Sequence, residues 1–213
     1  LSTDTIANKF VGGAWASGGA LNLGRGENAG NGVGTQTAAA LAGGSGPPGI
    51  YANHEQYDGS SWTETTDLNT ARNATWADGT QSAFWVAGGH TPPYTDITET
   101  WNGSSWTEVN NLNTARRYLS GTGTATDALA FGGGAAPAAA NTESWNGSAW
   151  YEVNDLNTAR LALGAAGTAE SSLAFAGYTT AGVANTESWN GAIWTETNDV
   201  SVTRYGSLSV PEP

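Results

Sequence analysis

Short runs of alternating apolar and polar residues recur along the chain, and helical periodicity appears nowhere with conviction. In the best-preserved stretch, Asn141-Thr-Glu-Ser-Trp145 and Trp150-Tyr-Glu-Val-Asn154 read as two outer strands. Glu143 and Trp145 share one face of the first, and Trp150 and Glu152 one face of the second. Asn146-Gly147 lies between them, a hairpin signal because both residues tolerate the positive φ of a type I′ turn. Upstream come a small-residue strand from Tyr118 to Ala125, a tight turn at Thr126-Asp127 and an apolar strand, Ala128-Leu-Ala-Phe131. The latter ends in Gly132-Gly133-Gly134 and leads into a loop of about seven residues. The pattern predicts four short antiparallel strands.

The whole pattern repeats. Tyr57-Asp-Gly-Ser-Ser-Trp62, Trp101-Asn-Gly-Ser-Ser-Trp106, Trp145-Asn-Gly-Ser-Ala-Trp150 and Trp189-Asn-Gly-Ala-Ile-Trp194 follow one another in steps of 44 residues. Behind each comes Leu68-Asn-Thr-Ala-Arg72, Leu112-Asn-Thr-Ala-Arg116, Leu156-Asn-Thr-Ala-Arg160 or the worn copy Val200-Ser-Val-Thr-Arg204. A degenerate fifth copy opens the chain, with Phe10-Val-Gly-Gly-Ala-Trp15 and Leu21-Asn-Leu-Gly-Arg25, 47 residues ahead of the next; Gly43 to Gly49 absorbs the difference.

Four strands per unit at this period predict an all-β fold, a β-propeller, because stacking around an axis gives each sheet a partner on both faces. Full blades are expected at 25–68, 69–112, 113–156 and 157–200. Residues 1–24 would supply a third and fourth strand and 201–213 a first, so the two ends would pair in a composite closing blade, the fifth. That blade would hold three strands, either as a thin closing blade or with a strand donated by a neighbouring chain.

These units resemble kelch-type propellers. The apolar strand ending in Gly43-Gly44, Gly88-Gly89 and Gly132-Gly133 matches the kelch diglycine, altered to Ala176-Gly177 in the fourth copy, and the aromatic followed by a tryptophan matches its second hallmark. The Trp-to-Trp spacing is shorter than is usual for kelch. The resemblance implies a kelch-like propeller over almost the whole chain.

Composition narrows the function. The chain has 213 residues, 19 acidic and 7 basic, for a formal charge of −12, which argues against wrapping nucleic acid or docking on an anionic membrane. No apolar run approaches the ~18 residues that would predict membrane insertion. The absence of cysteine removes disulfides, thiolate metal sites and cysteine nucleophiles, including the copper–radical site of the galactose oxidases that share the kelch scaffold. The absence of methionine reads Leu1 as the start of a processed product or an excised piece.

No catalytic carrier stands out: neither G-x-S-x-G, nor a P-loop, nor a nucleotide fingerprint. No metal site and no cofactor is expected, and the chain is not read as an enzyme. Asp67, Asp155 and Asp199, with Asn111 in the fourth equivalent place, read as turn-formers. The repeated arginines, and the glutamates at 55, 99, 143 and 187, read as framework, each arginine tying its blade to a neighbour through a carboxylate or backbone carbonyls.

Function is therefore sought where the units differ. The loops between second and third strands vary, and they open on the same face as the Leu-Asn-Thr-Ala-Arg junctions. Two carry Pro-Pro with tyrosine and histidine, a rigid aromatic display. The candidate ligand-binding residues on this face are Tyr51, His54, His90, Tyr94 and Tyr178, with Trp76, which departs from register and is expected to be exposed.

Units of the form Trp101 to Arg116 also resemble kelch-like structural proteins of marine bacteriophages, notably cyanophages, in tail fibres or on virion surfaces. The resemblance implies an extracellular or virion-surface, non-catalytic propeller that binds host-surface glycan or a neighbouring structural subunit. A secreted cellular lectin or cell-surface adhesin is the alternative.

Overall fold

The computed structural model describes residues 18–27, 32–134 and 137–205. These residues form an all-β, propeller-like arrangement of four four-stranded antiparallel sheets and one small ribbon. The first sheet holds β1 (Val33–Thr35) and β2 (Ala38–Ala42), and the ribbon β3 (Ser45–Gly46) and β4 (Gly49–Ile50) is inserted before β5 (His54–Tyr57) and β6 (Trp62–Glu64). The second holds β7 (Trp76–Thr80), β8 (Ala83–Ala87), β9 (Thr98–Trp101) and β10 (Trp106–Val109). The third holds β11 (Ser120–Thr124), β12 (Asp127–Phe131), β13 (Thr142–Trp145) and β14 (Trp150–Glu152). The fourth holds β15 (Gly164–Gly167), β16 (Ser172–Phe175), β17 (Thr186–Trp189) and β18 (Trp194–Glu196). Within each sheet the strands lie in chain order, and the first strands β1, β7, β11 and β15 lie side by side in succession around an axis. Their small residues permit that approach. A Cβ on Gly121 of β11 would sit 2.8 Å from the Trp85 ring and 3.2 Å from the Trp76 ring, both in the second sheet.

Tryptophans fasten sheet to sheet. Leu129 and Phe131 of the third sheet pack with Ala174, Trp189 and Trp194 of the fourth. The indole N–H of Trp194 reaches back to Thr142 Oγ1, and that of Trp150 to Thr98 Oγ1, each at 3.1 Å. The residues that face a following sheet are Ala40, Trp85, Leu129 and Leu173. The first three are at most 1% exposed, but Leu173 is 42% exposed. The outer face of the fourth sheet is thus uncovered where its counterparts are sealed.

Each Leu-Asn-Thr-Ala-Arg junction crosses from the fourth strand of one sheet to the first of the next and clamps a glutamate. Asn113 donates its backbone and side-chain N–H to Glu143 Oε2 at 2.6 and 2.8 Å, and Arg116 pairs with Oε1 at 3.0 Å. Arg25–Glu55, Arg72–Glu99 and Arg160–Glu187 repeat the pair at 3.2, 2.9 and 2.9 Å. Arg72 also donates to the Val86 carbonyl and Arg160 to that of Ala174. The arginines are framework, but each ties its junction to the sheet that it enters rather than to a neighbouring sheet. Burial lowers the Arg72 guanidinium to about 10, still charged at neutral pH. The Asx residues brace the same corner: Asp155 accepts the Thr142 N–H and Asp199 the Thr186 N–H, both at 3.0 Å.

Two expectations change in detail. Trp145 pairs directly with Trp150, so the hairpin loop has four residues, with Asn146 accepting the Ser148 and Ala149 amides. Only Gly147 takes a positive φ, +86°, because the asparagine side chain does the turning that a type I′ backbone would otherwise do. The tight turn before the apolar strand lies at Ala125 and Thr126, with Asp127 already paired to Thr124. Of the composite closing blade expected at 1–24 and 201–213, residues 1–17 and 206–213 lie outside the described residues, and 18–24 and 201–205 form no strand.

Candidate functional site

The repeated arginine hands the chain to a belt around the axis. Two residues beyond each arginine stand Glu27, Ala74, Tyr118 and Ala162, all at φ between 48° and 53°. The amide of Ala74 donates to the Glu27 carbonyl at 2.7 Å, that of Tyr118 to Ala74 at 2.9 Å, and that of Ala162 to Tyr118 at 2.9 Å. Left-handed backbone at four non-glycine, non-Asx residues is strained, and this chain of bonds holds it in place.

The second-to-third-strand loops close on the belt. Asn73 and His90 exchange backbone hydrogen bonds, as do Leu161 and Tyr178, while Gly134 donates to the Arg117 carbonyl. The framework is common to all units, but the side chains that it presents are not: Glu27, Asn73, Arg117 with Tyr118, and Leu161. Glu27 accepts Asn73 Nδ2 at 2.5 Å, Tyr118 Oη at 2.9 Å and Ser45 Oγ at 3.1 Å. Burial, followed by the Glu27 hydrogen bond, pushes the Tyr118 phenol up to about 12. The Arg117 guanidinium carbon lies 4.9 Å from the Tyr94 ring centroid and 4.7 Å from that of Tyr118. Ala74, Tyr118, Leu161 and Ala162 pack as an apolar cluster, with Ala138 and Tyr178 against it.

Four of the six sequence candidates lie on these loops. Tyr94 is 36% exposed, and its ring stands 5.7 Å from that of His90. Tyr178 is half-buried, 5.2 Å from the Tyr205 ring. Tyr51 folds back on its own loop, its hydroxyl donating to the Pro47 carbonyl at 2.5 Å, and stands apart from this group in the first sheet. Both Pro-Pro bonds, Pro47-Pro48 and Pro92-Pro93, are cis.

The other two are elsewhere. His54 is a β5 residue with no exposed surface, in the place that Thr98 and Thr142 hold in later sheets, and its ring meets Trp101 edge-on at 4.6 Å. Burial pushes its imidazole down to about 4. A ligand on the loop face cannot reach it. Trp76 is half-buried on β7 rather than displayed. It lines an axial cavity of about 340 Å³ with Gly32, Asp78, Gly121, Thr122 and Ala166, and its indole N–H is buried without a partner. Asp78 Oδ2 accepts the Gly123 amide at 2.9 Å and Oδ1 that of Gly79 at 2.7 Å, and burial raises its carboxyl. Asp78 stitches the second sheet to the third.

Arg117, Tyr118 and Glu27 escaped the sequence reading. The signal was the pair of positions after each repeated arginine, which runs Gly26-Glu27, Asn73-Ala74, Arg117-Tyr118, Leu161-Ala162 and Tyr205-Gly206 while the arginine itself stays constant. Among the described residues, no group of three or more His, Asp or Glu could hold a metal ion. Neither a protein-family model nor a curated protein matches the chain.

Proposed function

We propose that the chain is a non-catalytic adhesion or structural propeller that uses its loop face to bind a host-surface glycan or a neighbouring structural subunit. The observation that carries this reading is where the repeats diverge. Clamps, hairpins and inter-sheet tryptophans are the same from unit to unit, whereas His90, Tyr94, Arg117, Tyr118 and Tyr178 gather at one end of the axis. Such a surface combines stiff aromatic side chains with isolated polar groups, which suits recognition of a sugar or a protein rather than turnover. The resemblance of its units to structural proteins of marine bacteriophages supports a place in a tail fibre or on a virion surface.

We further read the architecture as five kelch-like blades, with the two chain ends combined in the fifth. The exposed Leu173, whose counterparts are sealed, supports a further sheet against the fourth. The mass in solution tests strand exchange: a strict monomer excludes a strand donated between copies. A glycan array tests the adhesive role. Wild type should retain a discrete set of saccharides that Tyr94→Ala releases, and retention of none by wild type would leave only the subunit-binding role.

A further inference from the structure

We propose that Arg117 is the carboxylate-recognising centre of the loop face, and that its ligand is an acidic sugar of the uronate type. The inference rests on the loop-face reading above and names the chemistry of its ligand. The repeated arginines Arg25, Arg72, Arg116 and Arg160 each have their own glutamate, at 2.9 to 3.2 Å. Arg117 has none among the described residues, in a chain with 19 acidic residues. Its side chain forms no hydrogen bond with any described residue, and its Nε is buried without a partner. The two terminal nitrogens are not buried in that way, so they face solvent with their hydrogen-bonding capacity unspent.

The guanidinium is also held for use. Rings of Tyr94 and Tyr118 flank it at under 5 Å, Tyr118 is anchored by Glu27, and Tyr94 lies against His90. A stacked guanidinium loses little further freedom when it grips a planar carboxylate with two parallel hydrogen bonds. The site offers a single cation within a chain of charge −12. Polyanions such as nucleic acids, phosphorylated polymers or strongly acidic peptides meet net repulsion there. A ligand with one carboxylate amid neutral hydroxyls fits, with the Tyr94 hydroxyl and the His90 ring available to those hydroxyls.

The test titrates the full chain with a galactotriose that ends in one galacturonate and, in parallel, with neutral galactotriose and a mono-carboxylate peptide of similar mass, by isothermal calorimetry. The mono-uronate trisaccharide should bind at least about tenfold more tightly than either control, as expected for a charge-assisted bidentate contact. Arg117→Gln should reduce it to the level of galactotriose, and Arg117→Lys should restore it only in part, with thermal midpoints matching wild type in both variants. Equal affinity for the acidic and neutral sugars, an unaffected Arg117→Gln variant, or equally tight peptide binding would each overturn the assignment. Neutral-sugar binding lost in Tyr94→Ala but kept in Arg117→Gln would overturn it while leaving the loop-face reading standing. Binding of no saccharide would overturn both.

Discussion

The phenolic hydroxyl of Tyr118 donates to Glu27 Oε1 at 2.9 Å, joining two residues 91 positions apart in the first and third units. The bond skips the second unit and closes the loop-face end of the axis. Tyr118→Phe leaves Glu27 with Asn73 and Ser45 as donors. The expected cost is about 1.5–3 kcal/mol in urea unfolding, the range for a hydrogen bond to a charged group. Because the Tyr118 pKa is raised to about 12, the wild-type protein should also lose stability as pH rises from 10 towards 12, and Tyr118→Phe should flatten that decline.

Clamp glutamates should differ sharply from those opposite them. Glu143 pairs in register with Glu152 across the β13–β14 ladder, yet only Glu143 is buried against Arg116. Glu143→Ala strands a buried guanidinium and should cost about 3–5 kcal/mol. Glu152→Ala relieves a like-charge cross-strand pair at an exposed position and should change stability by less than about 1 kcal/mol. Chemical denaturation of the two variants measures both.

His54 gives the fold an acid limit. Its folded pKa of about 4 lies below the value of 6.5 for a free imidazole, so the unfolded chain binds the proton first. The stability that neutral His54 confers is complete above pH 6.5 and falls as pH drops towards 4. His54→Thr, which restores the residue of the other units, should remove this part of the pH dependence. Thermal midpoints of the two proteins between pH 4 and pH 7 test it.

Gly123 is required by space as well as by backbone conformation. At φ +122°, its added Cβ would lie 2.3 Å from the Asp127 carbonyl oxygen and 2.7 Å from the Ala128 Cα. Gly123→Ala should cost more than about 2 kcal/mol, above the ordinary penalty for alanine at positive φ. Circular dichroism melting reports the loss.

The strands and their order were legible because each depends on local alternation or on a 44-residue register, whereas the glutamate that each arginine clamps was not. Even His54 was readable in this way, since the register aligns it with Thr98, a strand position, although its loop-side neighbours drew attention to the surface. The hairpin type was not, because Asn-Gly serves an Asx turn as readily as a type I′ turn, and only the Trp145–Trp150 pairing distinguishes them. The meeting of Arg117, Tyr94, Tyr118 and Glu27 lay beyond the repeat. It depends on how sheets are arranged around an axis, a relation between units that no single unit encodes.

The claim that the loop face is the binding surface is tested most directly by amide chemical-shift mapping with a saccharide retained on the array. The shifts should cluster at His90, Tyr94, Arg117 and Tyr178 and leave the hairpin loops at Asn102, Asn146 and Asn190 unmoved. Shifts confined to those hairpins, or to the cavity around Trp76 and Asp78, would contradict it.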